Sequence, residues 1–469
     1  MNPKRLLSLS LQLIAFLGVN LSAQVLPVSG VPIPELVPLD TAMEEFMQAN
    51  DIGAGILAVM KEGLVVYRHA FGWQDEERMI PLRPDAVMRI ASVTKPFTAA
   101  AIRHLVFAYA VSLNSRVFSG DTPGSGILEL IPFGNPDSRL ADITVNHLLQ
   151  HEGGWDRDAP GIPDHTYQEL QIAAEMGVPS PPSRVNVLRW IMGQPLQFDP
   201  GSDVAYSNIG YLALGLIVEE VSGKDLLTYL QDHVLSPIGV DHSQVLYGRT
   251  FKSDQDSREP YYDSAGSTAT NVFYPAFSNE PVVERPYGSW NHEARTGQGA
   301  IVADPFAILA YLNAYQVAGS GIGGPRPAAG NWKWSHTGAL WGTNSLARQR
   351  GDGINYTVIF NKRPLSGTSY VIQMRTTLDS IFDSEIITSW PVDDVRFQEV
   401  PLSTIELGTD PIEILLQSSV GRYYQLMNST DLHIWNLSAP PFIGNGSRLS
   451  FAIDPEAMTS MYYRFEVRQ

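Results

Sequence analysis

Cysteine is absent from all 469 residues, which removes disulfides, thiolate metal sites, a cysteine nucleophile and a lipidated N-terminal cysteine together. Stability therefore comes from packing. Positive charge is scarce as well: 32 Lys and Arg stand against 49 Asp and Glu, for a formal net charge of −17. A nucleic-acid binder needs a basic stripe to neutralise phosphates, and none is present, so nucleic acid is not an expected partner. Gly-x-Ser-x-Gly is also missing, which excludes the nucleophile elbow of α/β-hydrolases. Long apolar runs are confined to the start, where Met1 to Arg5 is followed by the apolar segment Leu6 to Leu21 and the small pair Ser22 and Ala23. That order predicts a secretory signal peptide over residues 1–23, a secreted or periplasmic product, and no membrane span after cleavage.

What is present is enough for a large core, since 44% of the residues are hydrophobic and the length accommodates two or three domains. A Pro-rich lead-in from Val25 to Pro38 precedes a helical pattern containing Met43, Phe46 and Met47. Gly55 to Met60 and Leu64 to Tyr67, joined by Lys61-Glu62-Gly63, read as a β-hairpin. From about Val87 to Ile238 the pattern is mainly helical, and Ile209 to Val221 is apolar on nearly every face, as in a helix buried in a large domain. Strands return at Leu346 to Arg348 and Ile354 to Phe360 before a helix from about Tyr370 to Phe382. Strands at both ends with helices between predict an α+β fold whose sheet combines N- and C-terminal pieces.

Beyond Trp390 the character changes. Residues 391–406 read as a linker, and 407–469 as a small C-terminal all-β module with strands at Ile412 to Gln417, Arg422 to Asn428, Leu449 to Ile453 and Met461 to Val467. Its Tyr423, Tyr424, Trp435, Tyr462 and Tyr463 are expected to fill a small core; the alternative is contact with glycans or a cell surface.

Three local patterns carry chemistry. In Ser92-Val-Thr-Lys95, a helix starting near Ser92 brings hydroxyl and amine together in its first turn. An alcohol becomes a competent nucleophile when a neighbouring base takes its proton. In Tyr206-Ser207-Asn208 a phenol and a carboxamide two apart point into one cleft, the phenol able to shuttle protons and the amide to hold a carbonyl or the lysine. In His336-Thr337-Gly338-Ala339 a strand offers a donor, a hydroxyl and a closely approaching backbone, and the N–H of Ala339 can pair with that of Ser92 around an oxyanion. Trp341 follows as a candidate pocket wall; Trp155, Trp190 and Trp334 are expected in packing. His147 and His151 have ligand-like spacing, but the Glu of a zincin motif is missing and no metal site is expected.

The order Ser-x-x-Lys, Tyr-Ser-Asn, His-Thr-Gly resembles the serine β-lactamase and penicillin-binding protein superfamily, nearest to its branch of AmpC-type β-lactamases, serine esterases and D-amino-acid peptidases. The resemblance spans roughly residues 38 to 385, including the loop Ile143 to Gly154. It implies a β-lactamase-like antiparallel sheet flanked by a helical region within residues 24–390. It further implies Ser92 as acylated nucleophile, Lys95 and Tyr206 as the proton-transfer pair, and Asn208, His336, Thr337, Gly338, Ala339 and Trp341 around the substrate, with no metal or organic cofactor. The expected partner is a small ester, amide or peptide. Two positions depart from the pattern. Penicillin-processing members usually carry lysine where this chain has His336, which favours an esterase over a β-lactamase or D-Ala-D-Ala peptidase. Glu152 stands where such loops often have Thr or Ser, adding negative charge near the cleft. A non-catalytic cell-wall-binding member is the reading from another class.

Overall fold

Two extended segments joined by the tight Glu62-Gly63 turn lie in one half of the main sheet, and three further strands come from more than 250 residues later in the chain. The computed structural model describes residues 26–120, 123–159, 164–397, 405–409, 412–429, 434–452 and 462–468. The expected signal peptide over 1–23 lies outside the described residues.

In chain order the elements that matter are β1 (Val28–Ser29), α1 (Val37–Ala49), β2 (Ala54–Lys61), β3 (Leu64–Gly72), α2 (Thr94–Phe107), α3 (Asn208–Ser222), α4 (Pro305–Ala314), β4 (Lys333–Leu340), β5 (Thr343–Arg350), β6 (Ile354–Phe360) and α5 (Tyr370–Asp383). The sheet order is β1-β3-β2-β6-β5-β4, and every neighbouring pair is antiparallel. This is the α+β architecture expected from the sequence. β1 extends the sheet into the Pro-rich lead-in, pairing Val28 with Phe71 and Ser29 with Ala70.

Both faces of the sheet are covered. Arg348 and its cross-strand partner Tyr356 bond Asp379 of α5, while the next pair, Gln349 and Asn355, bonds the Leu312 carbonyl of α4 and the Arg326 guanidinium. Successive strand residues point to opposite faces, so α4 and α5 lie on opposite sides. This explains why every residue of β5 is buried although six of the eight are polar. The sequence reading began this strand at Leu346; it begins at Thr343, because paired polar side chains replace the apolar alternation that marks a half-exposed strand.

α3 is the expected buried helix. Ser207 caps it by accepting the Gly210 N–H at 3.2 Å, and Asn208 to Val218 are all buried. Each fully buried Leu or Ile contributes about 1.5–3 kcal/mol of transfer free energy. α2 packs beside it, with Thr94 to Ile102 buried and the small run Ala99-Ala100-Ala101 allowing close approach.

The C-terminal strands form two small sheets, one from Ile405–Thr409, Ile412–Gln417 and Arg448–Ala452, the other centred on Tyr423–Ser429. Tyr423 and Tyr424 are fully buried there. Within the stretch read as linker, Asp394 accepts the Val65 N–H, Arg396 lies 3.9 Å from the Phe306 ring, and Ile405 already belongs to a strand. Among the described residues, no helix is long and apolar enough to cross a membrane.

Candidate active site

Ser92 sits where the edge strand β4 crosses the start of α2. Ser92 lies in a short 3-10 turn, Ala91–Val93, that leads directly into α2. Two hydroxyls of β5 fasten the backbone before it: Thr343 donates to the Arg89 carbonyl at 2.9 Å and Ser345 to the Ile90 carbonyl at 2.6 Å. Ala91, just before the serine, has φ of +47°, a left-handed conformation that costs a non-glycine residue about 1–3 kcal/mol and persists only when its surroundings enforce it.

Lys95, one turn further, is completely buried. Its Nζ lies 3.2 Å from Ser92 Oγ, 2.7 Å from Asn208 Oδ1 and 2.9 Å from the Gln298 carbonyl. Burial holds this amine well below the ordinary lysine value; Arg157 and Arg295 push it further down and Asp164 pulls it back up. A neutral amine has two N–H bonds and one lone pair. Two of its partners are carbonyl oxygens that only accept, so both N–H bonds are committed there. Protonated, the amine donates to Ser92 Oγ; once it has lost a proton, its lone pair is left for the Ser92 hydroxyl.

Tyr206 completes the group. Its phenol is hydrogen-bonded with Ser92, and burial raises its pKa far enough to keep it protonated. His151 stacks on the ring at 4.6 Å, Arg157 lies 4.2 Å from its centroid, and Lys95 Nζ lies 4.8 Å away. Both ends of the Asn208 carboxamide are engaged, the oxygen with Lys95 and the nitrogen donating to Asp164. The amide therefore orients the lysine.

β4 forms the opposite wall. Gly338 opposes Ser345, and a Cβ there would stand 2.3 Å from the Ile90 carbonyl oxygen. Thr337 and His336 pair with Leu346 and Ala347. The half-buried His336 imidazole is pushed down to about 3, mainly by burial and then by Lys95. It is neutral at physiological pH and offers hydrogen bonding without charge. Ala339 and Trp341 line a neighbouring cavity of about 670 Å³. Trp155 and Trp190 are buried in the core, and Trp334 stacks on Trp332 at 4.8 Å. Such an arrangement can acylate and deacylate a serine.

A sequence profile of the Beta-lactamase family matches residues 39–364. The chain belongs to the beta-lactamase family. It thereby falls within the serine β-lactamase and penicillin-binding-protein-like superfamily. Similar proteins include Protein flp of Staphylococcus aureus (strain MW2), 29% identical over 255 residues that make up 54% of this chain and 44% of that protein. Esterase EstB of Burkholderia gladioli is 30% identical over 210 residues, 43% of this chain and 49% of EstB. The chain spans less than half the length of either relative. The octameric penicillin-binding protein homologue from Pyrococcus abyssi shares the fold, with a TM-score of 0.53 and 19% identity over 89% of this chain and 96% of that one.

Within this β-lactamase-family site, sequence reasoning missed Arg157, Asp164, Gln298 and the stacking role of His151. None lies in a periodic segment. His151 carried a motif signal as a metal-spaced pair with His147, but the two histidines do separate work. His147 accepts the Thr144 N–H as a helix cap, while His151 accepts the Ser207 N–H at 3.1 Å and packs on Tyr206. Glu152 is absent from the cavity wall.

The two imidazoles carry a pH consequence. His151 and His336 are both held down to about 3 from an ordinary 6.5. Between those values the unfolded chain binds protons that the folded chain refuses, so stability is present above pH 6.5 and is lost as pH falls. The expected slope is about 1.4 kcal/mol per pH unit for each histidine. Urea midpoints measured from pH 7 to pH 4 will fall steeply, and His151→Gln or His336→Gln will flatten the dependence; parallel curves for wild type and variants would reject the assignment.

Proposed function

We propose that the chain is an exported serine hydrolase that cleaves small esters through an acyl-enzyme on Ser92. The observation carrying this reading is the buried Lys95 amine, with two contacts to carbonyl oxygens and its third 3.2 Å from the Ser92 hydroxyl. Lys95 takes the Ser92 proton as Oγ bonds to the substrate carbonyl carbon. The N–H groups of Ser92 and Ala339 receive the developing oxyanion. Tyr206 passes a proton to the departing alcohol oxygen as the ester C–O bond breaks, and the Lys95–Tyr206 pair is restored by the proton taken from Ser92. Water then repeats the sequence on the acyl-enzyme, releasing the acid.

Two facts favour esters over β-lactams or D-amino peptides. His336 lacks the positive charge with which a lysine would grip a substrate carboxylate, and EstB, a relative, is named an esterase. Export rests on the pattern of residues 1–23.

Intact-mass measurement after treatment with a fluorophosphonate probe tests the reading. One adduct is expected, mapped by peptide sequencing to Ser92 and missing from Ser92→Ala. A wild-type chain left unmodified by the probe would favour the non-catalytic, cell-wall-binding alternative instead.

A further inference from the structure

The 670 Å³ cavity beside Ala339 has a charge opposite to that of the molecule. Three guanidinium groups line it, Arg157, Arg285 and Arg363, in a chain whose net charge is −17. The carboxylate on its wall is Glu169, and that charge is met by Arg295 at 2.7 Å in a buried ion pair. Arg285 donates to Ser267 Oγ at 2.8 Å, which leaves its charge uncompensated, and places its guanidinium carbon 4.6 Å from the Trp341 ring. The Arg363 guanidinium carbon lies 5.1 Å from the same ring. Among the described residues, no carboxylate lies within ion-pairing distance of either group.

Two like charges beside one indole raise each other's free energy; Arg363 is lowered from its ordinary value mainly by burial, with Tyr167 opposing and Arg285 adding to the shift. An anion bound in the cavity offsets that repulsion and gains charge-assisted hydrogen bonds. The position relative to the reacting centre is fixed by the chain itself. Ala339 supplies a candidate oxyanion donor and itself lines the cavity, and Trp341 follows in the turn after Leu340.

We propose that this cavity is an anion subsite and that the enzyme selects substrates bearing a carboxylate remote from the scissile carbonyl, held by Arg285 and Arg363 beside Trp341. The inference rests on the Ser92 acyl-enzyme reading above and names its substrate class.

The test compares kcat/KM for paired esters on the full chain. Mono-p-nitrophenyl adipate against its methyl ester places the charge on the acid side. The acetate ester of p-hydroxyphenylpropanoate against its methyl ester places it on the leaving alcohol, with two methylenes insulating the phenol. A preference of at least about tenfold for the anion in one arm is expected, from one or two charge-assisted hydrogen bonds. That preference should shrink with added NaCl and collapse toward one in Arg285→Gln/Arg363→Gln. The wild-type ratio and its salt dependence read the subsite even if the double variant fails to fold. Ser92-dependent cleavage with equal rates in both arms overturns this inference alone, whereas no Ser92-dependent cleavage of any of the four esters overturns the acyl-enzyme reading along with it.

Discussion

Replacing Lys95 with methionine will lower kcat/KM for p-nitrophenyl butyrate by about 100–10,000-fold, the range general-base catalysis supplies. Methionine is unbranched and of similar length, so it fills the buried volume without new polar demands. The structural cost comes from what the amine leaves behind. Asn208 Oδ1 and the Gln298 carbonyl each lose a donor, and orphaned buried acceptors cost about 1–3 kcal/mol each, offset in part by relief of burying an amine. A folded variant with a slightly lower Tm and almost no turnover is therefore expected. Lys95→Arg separates the base from the charge. Arginine keeps a cation but cannot give up its proton at accessible pH, so it should be as inactive as methionine if the amine acts as proton acceptor. Substantial turnover in the arginine variant would mean that a positive charge, and not a base, is what Ser92 requires.

What the letters disclosed depended on the range of the interactions concerned. Ser92 and Lys95 are three apart on one turn, so their meeting was readable from helical spacing alone. α3 was readable too, because an unbroken apolar run with a serine before it has few other outcomes. The bond between Lys95 and Asn208 spans 113 residues; the motif left the amide open to a carbonyl or the lysine, and the resemblance placed Asn208 around the substrate. β5 was half legible for a different reason. Asn344, Gln349 and Arg350 have the letters of an exposed segment, yet each is buried with a partner: the Gly338 carbonyl, the Leu312 carbonyl and Asp383. Polar satisfaction of this kind leaves no hydrophobic period. Arg157 and Asp164 flank a stretch rich in Gly and Pro, where neither helical nor strand spacing constrains direction. The cationic cavity was hidden by arithmetic, since an acid excess over the whole chain says nothing about how a few arginines gather around one tryptophan.

Gly338→Ala will cut kcat/KM on the same ester by about 100-fold or more, the cost of displacing a reacting group by roughly 1 Å or losing an oxyanion donor. A single methyl group has this effect because of what it meets. The added Cβ would lie 2.3 Å from the Ile90 carbonyl oxygen, 2.4 Å from Ser345 Oγ and 3.0 Å from Ala91 Cβ. None of these can yield locally. Ser345 Oγ and the Ile90 oxygen are hydrogen-bonded to each other at 2.6 Å, and Ala91 already holds a left-handed backbone. The methyl therefore pushes β4 away from the Ala91–Val93 turn, which separates the N–H of Ala339 from that of Ser92. Overpacking of this kind also costs about 1–3 kcal/mol of stability. The signature that distinguishes a damaged oxyanion site from general unfolding is a fall in kcat with KM nearly unchanged in protein that still melts cooperatively, together with continued, slower labelling of Ser92 by the fluorophosphonate. Wild-type kcat in Gly338→Ala would show that β4 and the serine turn do not share the oxyanion, and that the second donor comes from elsewhere.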